Sequence, residues 1–191
     1  IISIIGLGYV GLPLAIEFSR KYKVIAYDLD KKRIEELKKN NDKTNEINRD
    51  KLRKIKNIVF TNNKDHLKDS NTFIITVPTP INKKNIPDLK YIKKANEIVG
   101  SIIKKNDVVI LESTVYPGAT EEICIPILEE ISKLIFNHDF YCGYSPERIN
   151  PGDKKRKLEN IPKLVSASNS STLHKIYNLY SKIIKAKIHK V

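Results

Sequence analysis

Methionine is missing from this chain of 191 residues, and cysteine occurs only twice. The chain also opens inside an apolar run, Ile1-Ile2-Ser3-Ile4-Ile5, so at least an initiator residue is expected to precede Ile1. Cys124 and Cys142 make neither a metal-ligand spacing nor a disulfide framework. Neither has a histidine or a helix start nearby to lower its thiol pKa, so both are expected in the core as packing, and no metal site is expected. No apolar run approaches the roughly 20 residues that span a bilayer. No basic-then-apolar leader opens the sequence, so no membrane partner is expected and the simplest location is the cytosol. Histidine is scarce too, and His66, His138, His174 and His189 lie scattered among polar neighbours, as surface residues do.

Acidic side chains are the minority, 22 against 35 lysines and arginines, for a net charge of +13. Such a balance invites a nucleic-acid reading. The lysines, however, are spread over nearly every expected helix, and the richness in Ile, Asn and Lys together suggests an A/T-biased coding sequence. The chain carries no RNA- or DNA-binding motif, so no nucleic-acid partner is expected. A positive field still attracts anionic ligands.

What is present is concentrated near the start. Gly6-Leu7-Gly8-Tyr9-Val10-Gly11 follows the first apolar run and leads into Pro13-Leu14-Ala15-Ile16-Glu17-Phe18, which reads as a helix. A strand, a tight glycine turn and a helix make a dinucleotide pyrophosphate site. Gly6 permits the turn, Gly8 lets the backbone approach the phosphates, and Gly11 lets helix and strand pack closely. The helix start, with Tyr9 and Val10 before it, presents unpaired N–H groups to the diphosphate. A second strand, Lys23 to Asp28, ends in a carboxylate about 20 residues past the first glycine, the spacing of an acid that binds the adenosine ribose. Its charge repels a 2′-phosphate, so NAD is expected over NADP. The alternative is that Asp28, with Asp30, merely caps the helix beginning near Lys31.

Further along, strand-like runs alternate with helical patterns. Helices are expected over Lys31 to Lys39, with Ile34 and Leu37 inward, Arg49 to Lys56, Leu89 to Lys104, Gly118 to Leu134 and Ser170 to Ile184. Strands are expected at Ile58 to Phe60, Thr72 to Val77, Asp107 to Leu111, Phe140 to Tyr144, Lys163 to Ala167 and Ala186 to Val191. The remainder, including Asn40 to Asn48 and Ser145 to Asn160, reads as loops. This rhythm implies an α/β fold, a Rossmann-like doubly wound and mainly parallel sheet with helices on both faces, in one domain spanning 1–191. Right-handed crossovers then bring the glycine loop, Asp28, Thr79, Ser113-Thr114 and Glu147 to the carboxyl edge of the sheet.

Those edge residues admit two readings each. Thr79 stands between Pro78 and Pro80, which stiffen a turn that either ends a strand or holds a hydroxyl in place. Ser113 and Thr114 either cap the next helix or bind a ligand. Ser145-Pro146-Glu147-Arg148-Ile149-Asn150-Pro151-Gly152 sets a carboxylate beside a guanidinium in a proline-stiffened loop, an arrangement suited to a general base or a positioned water.

Taken together, Ile5 to Pro13, Val77 to Pro80, Ser113 to Gly118 and Tyr144 to Gly152 resemble the UDP-glucose/GDP-mannose dehydrogenase family over essentially the whole chain. The Glu112-Ser113-Thr114-Val115-Tyr116-Pro117-Gly118 segment resembles the branch acting on UDP-N-acetylhexosamines in surface polysaccharide synthesis. The resemblance implies oxidation of the C6 alcohol of a nucleotide sugar to a carboxylate by two NAD in turn, through a cysteine-bound thiohemiacetal and thioester. It implies that Gly6, Gly8 and Gly11 cradle the pyrophosphate, that Asp28 and Arg33 contact the adenosine end, and that Thr79 and Ser113-Thr114 line the nicotinamide side. Thr114 and Glu147 become the catalytic candidates, positioning water, with Glu147, Arg148 and Asn150 toward the UDP-sugar. Family members continue into a second domain that supplies the cysteine and most of a homodimer core. No such segment follows Val191, so the chain is expected to be the N-terminal cofactor domain, able to bind NAD and inactive alone. Two other readings stay open, a dinucleotide-binding regulatory module without catalysis and a different Rossmann dehydrogenase.

Overall fold

A computed structural model of the chain describes residues 1–148 and 158–191. Eight strands form one sheet in the order β3-β2-β1-β4-β5-β6-β7-β8. At its centre β1 (Ile2–Ile5) is buried at all four positions and pairs in parallel with β2 (Val24–Tyr27) and β4 (Thr72–Ile75). Burial on both faces is why it reads as a near-continuous apolar run. The parallel array continues outward through β3 (Ile58–Thr61) on one side and β5 (Val108–Leu111) and β6 (Tyr141–Tyr144) on the other.

Alternate strand residues feed two cores. Ile4, Ala26, Ile74 and Ile110 pack on one face with α1 (Gly11–Ser19), α2 (Lys31–Lys38), α3 (Arg49–Arg53) and α6 (Ser170–Tyr180). Ile5, Tyr27, Ile75 and Leu111 pack on the other with α4 (Lys90–Gly100) and α5 (Ile125–Ser132). The doubly wound fold expected from the sequence is the fold observed. The inward positions read from the pattern are buried, Ile34 and Leu37 on α2 and Ile92, Ala95, Ile98 and Val99 on α4. Cys124 and Cys142 are buried in the second core, and the four histidines are exposed.

Three differences from the sequence reading have physical causes. The helix expected from Gly118 opens with a wide π-type turn, Thr120–Cys124, before Pro126 at the start of α5 sets regular helical geometry. Lys64–Asp69 forms a 3₁₀ segment capped by Asn63, whose side chain accepts from the Asp65 N–H. Most consequential is β7 (Lys163–Ala167), which runs antiparallel to β6. A chain leaving β6 at the carboxyl edge needs no crossover helix to enter an antiparallel neighbour at that same edge. The last strand, β8 (Ile188–Lys190), then pairs in parallel with β7.

Candidate functional site

A cleft of about 770 Å³ opens at the carboxyl edge of the parallel strands, beside the point where strand order reverses around β1. Crevices of open α/β sheets form there because neighbouring connections leave on opposite faces. The floor is the glycine turn. Gly6 has φ +97°, and its N–H donates to Tyr27 O at 2.9 Å. At Gly11 the constraint is contact, since a Cβ would stand 1.8 Å from Gly6 O and 2.4 Å from Thr76 Oγ1. The Thr76 hydroxyl donates to that same carbonyl at 2.8 Å, so turn, helix and β4 end are locked together. Over Gly8 a Cβ would meet nothing within 4 Å, and Tyr9 beside it is 48% exposed. No side chain caps α1, whose first turn follows the half-buried Val10. This end therefore keeps N–H donors and a partial positive charge facing open space.

The second strand ends as an acceptor site. Asp28 Oδ2 accepts from the Leu7 N–H at 2.8 Å and Oδ1 from the Asp30 N–H at 2.9 Å. The carboxylate is thus fixed by backbone donors while its remaining lone pairs stay available. Capping of α2 falls to Asp30, which accepts from the Lys32 N–H at 2.9 Å. Arg33 lines the cleft from beneath, 3% exposed, its Nε donating to Leu7 O at 2.9 Å and its Nη1 2.7 Å from Asp42 Oδ1. Nη1 and Nη2 are both buried without a hydrogen-bond partner among the described residues, so the approach to Asp42 is an ion pair. Asp42, inside what the sequence shows only as a polar break, gathers the Thr44 hydroxyl and the N–H groups of Thr44, Glu46 and Ile47. Burial works against its charge, but hydrogen bonds from Thr44 and Ile47 and the adjoining Arg33 guanidinium outweigh it and hold the carboxyl below the ordinary value. Leu29, Tyr91 and Ile98 supply apolar walls, and Lys43, Lys90, Lys93 and Lys94 a cationic rim.

The other expected residues stand farther along the same sheet edge, outside this cleft. Thr79 is half-buried, its hydroxyl oxygen enclosed without a hydrogen-bond partner among the described residues. Ser113 is buried and donates to Val77 O at 2.7 Å, which ties the β5 end to the β4 end, while Thr114 is exposed. Glu147 is half-buried and accepts from the Arg148 N–H at 2.6 Å; Arg148 is exposed. Asn150 lies outside the described residues. Neither cysteine is poised to react, since burial pushes the Cys124 thiol up to about 11 and that of Cys142 higher still. Among the described residues no cluster of His, Cys, Asp or Glu is built to hold a metal ion, and no described helix is long and apolar enough to cross a membrane.

Sequence reasoning missed a buried charged group at this edge. Glu112 Oε2 stands 2.7 Å from Lys163 Nζ, and its other oxygen accepts from the Tyr180 hydroxyl. The available signal was an ionisable residue continuing the buried β5 run, since a buried charge requires a partner.

Open space over Gly8, an uncapped helix start, a fixed carboxylate at the second strand tip and apolar walls fit a dinucleotide, and together they define a dinucleotide-binding domain. Residues 1–184 match the model of the UDP-glucose/GDP-mannose dehydrogenase family, NAD binding domain, and the chain belongs to that family, with NAD as its cofactor. It is 51% identical over 189 residues to a UDP-N-acetyl-D-glucosamine 6-dehydrogenase of Salmonella typhi, covering 99% of this chain and 44% of that protein. It is 50% identical over 189 residues to Protein CapL of Staphylococcus aureus, with the same coverage of 99% and 44%. Among solved structures, a UDP-D-ManNAc dehydrogenase from Pyrococcus horikoshii superposes with a TM-score of 0.91 at 32% identity, covering 100% of this chain and 46% of that one. The chain thus spans under half the length of the relatives it matches.

Proposed function

We propose that the protein containing this chain oxidises the C6 alcohol of a UDP-N-acetylhexosamine to the uronate in two NAD-dependent steps, for surface polysaccharide synthesis. The 191 residues act as its NAD-binding domain, and a cysteine nucleophile, the UDP site and a homodimer interface belong to sequence adjoining them. Bound NAD supplies a hydride acceptor. Gly6, Gly8, Tyr9, Val10 and Gly11 surround its diphosphate; Asp28 and Arg33 serve the adenosine end, and Thr79, Ser113 and Thr114 the nicotinamide end. Glu147 and Thr114 orient substrate and water at the reacting carbon, and Glu147 takes up the proton released as water attacks. Arg148 and Asn150 contact the UDP-sugar.

The observation that carries this reading is the continuous ledge beyond the cleft. Ser113 is bonded to Val77 O at 2.7 Å, and the Ser145 N–H to Leu111 O at 3.0 Å, so the ends of β4, β5 and β6 form one rigid line leading from the dinucleotide cleft to Thr114 and Glu147. Identity of 51% over 189 residues to a UDP-N-acetyl-D-glucosamine 6-dehydrogenase supports the choice of sugar. Calorimetric titration of the chain with NAD, then with UDP-N-acetylglucosamine and UDP-N-acetylgalactosamine, tests it. Saturable NAD binding and weak or absent sugar binding are expected, with NADH formed only by the full-length protein. A full-length protein that binds NAD yet oxidises neither sugar overturns the reading in favour of a regulatory module.

A further inference from the structure

The direction of β7 has a consequence at the substrate edge. Because β7 runs against β6, its first residue, Lys163, stands at the carboxyl edge, where a parallel strand would have placed its last. Helix α6 follows β7 and returns toward that edge, ending at Tyr180. Both side chains converge on Glu112, the residue immediately before Ser113 and Thr114. Glu112 is 1% exposed, Lys163 3% and Tyr180 0%. The Tyr180 hydroxyl donates to Glu112, and it lies close enough to Glu147 to feel that carboxylate's charge. Burial foremost, then the charge of Glu112, pushes the phenol well above its ordinary value, so it remains a hydrogen-bond donor. The Ser145 hydroxyl donates to Leu164 O at 2.7 Å, the residue after Lys163.

Surface ion pairs tolerate imprecise geometry, whereas a desolvated pair survives only when charge and hydrogen bonds are both matched. Here that matching is made between the end of β5, which carries Thr114, and the start of β7, whose Leu164 O holds the Ser145 hydroxyl two residues before Glu147. The geometry points to Glu112, Lys163 and Tyr180 as positioning residues that fix the placement of Thr114 and Glu147 relative to each other, an inference that rests on the dehydrogenase reading for its catalytic consequence. None of the three touches the dinucleotide cleft. Lys163 balances the charge of Glu112. Tyr180 ties the end of α6 to the end of β5, while the Ser145 hydroxyl ties the segment after β6 to Leu164 O, beside Lys163.

The test compares Tyr180→Phe with wild type in the full-length protein, since phenylalanine keeps the ring's packing against Phe18 and removes only the hydroxyl. The expected result is a fall in kcat of roughly tenfold or more with NAD affinity within about twofold, accompanied by faster backbone hydrogen exchange in 111–114 and 144–148 and unchanged exchange in 5–12 and 27–33. Glu112→Gln is expected to act in the same direction, and Lys163→Arg to retain most of the rate. Unchanged kcat, or a loss of kcat matched by lost NAD affinity, overturns the inference. If wild type oxidises no UDP-sugar the functional reading fails separately, and exchange still decides whether the hydroxyl holds the two segments. Unchanged exchange in both segments sinks the positioning role.

Discussion

The cofactor side and the substrate side of this sheet edge are built by different means. Around β1 and β2 position is set by backbone: the Gly6 turn, the contact at Gly11, and N–H groups of Leu7 and Asp30 gripping Asp28. Around β5, β6 and β7 position is set by buried side chains, with Glu112 bonded to Lys163 and Tyr180. Backbone devices tolerate no added atoms, and the buried Arg33–Asp42 pair on this side supports the turn through Leu7 O. Side-chain devices tolerate changes of shape but not of charge. A diphosphate is recognised by N–H groups that every residue owns, whereas proton and hydride chemistry requires particular functional groups held at particular distances.

Substitutions can break or sharpen that contrast. The largest effect is expected from Lys163→Met, which leaves Glu112 buried without its counter-charge at a cost of about 3–5 kcal/mol. Urea denaturation measures it, and adding Glu112→Gln should recover much of the loss; if the double variant is no more stable than the single, the substrate side does not depend on charge matching. Next comes Gly11→Ala, whose Cβ overlaps Gly6 O, with an expected loss of about 1–3 kcal/mol and weaker NAD binding. Its counterpart Gly8→Ala should leave stability within about 0.5 kcal/mol while impairing NAD binding, because its Cβ enters only open space. Equal stability losses in the two would remove the distinction between a packing glycine and a ligand-facing one. Asp28→Ala should weaken NAD by about tenfold, about 1.4 kcal/mol, and narrow the preference over NADP. Unchanged discrimination in a binding assay would take Asp28 out of the cofactor site.

The mildest perturbation is acid. Asp42 titrates below its ordinary value in the folded chain, so its contribution to stability is full above the unfolded carboxyl pKa, about 3.9, and is lost as pH falls through the lower folded value. Denaturant midpoints followed from pH 6 downward should therefore decline below about pH 4. In Asp42→Asn that part of the decline should be missing. A decline of the same size in both proteins would show that the Arg33–Asp42 pair is not what acid disrupts.

The same contrast explains what could be read in advance. Gly6 to Asp28 is one strand–turn–helix–strand unit whose glycines, helix start and acid follow in sequence, so period and spacing reveal it. The Thr76 hydroxyl that locks Gly6 O, by contrast, comes from 70 residues away. The two-faced winding followed from alternation alone. The direction of β7 did not, because an apolar run looks the same in either orientation. Lys163 read as the first residue of a strand and Tyr180 as one position on a helix. Their partner Glu112 is 51 and 68 residues away, a pairing that only folding reveals. Asp42 left a fainter trace: Asp42-Lys43-Thr44 has the look of a side-chain-capped turn. Nothing local marked Arg33 as its mate.

Among the described residues the eight-stranded sheet has two unpaired borders, β3 and β8, and each is a template on which another chain could add a strand. Both are short, and β8 ends in exposed His189 and Lys190, with Lys190 drawn over the Tyr177 ring at 4.2 Å. Before β3 the exposed Lys54 and Lys56 guard the exposed Val59. Lys54, Lys56 and Lys190 thus put like charge along both borders, which opposes copies of the sheet joining border to border. That protection depends on ionic strength, so concentrated solutions of the chain should associate more readily as salt screens its lysines.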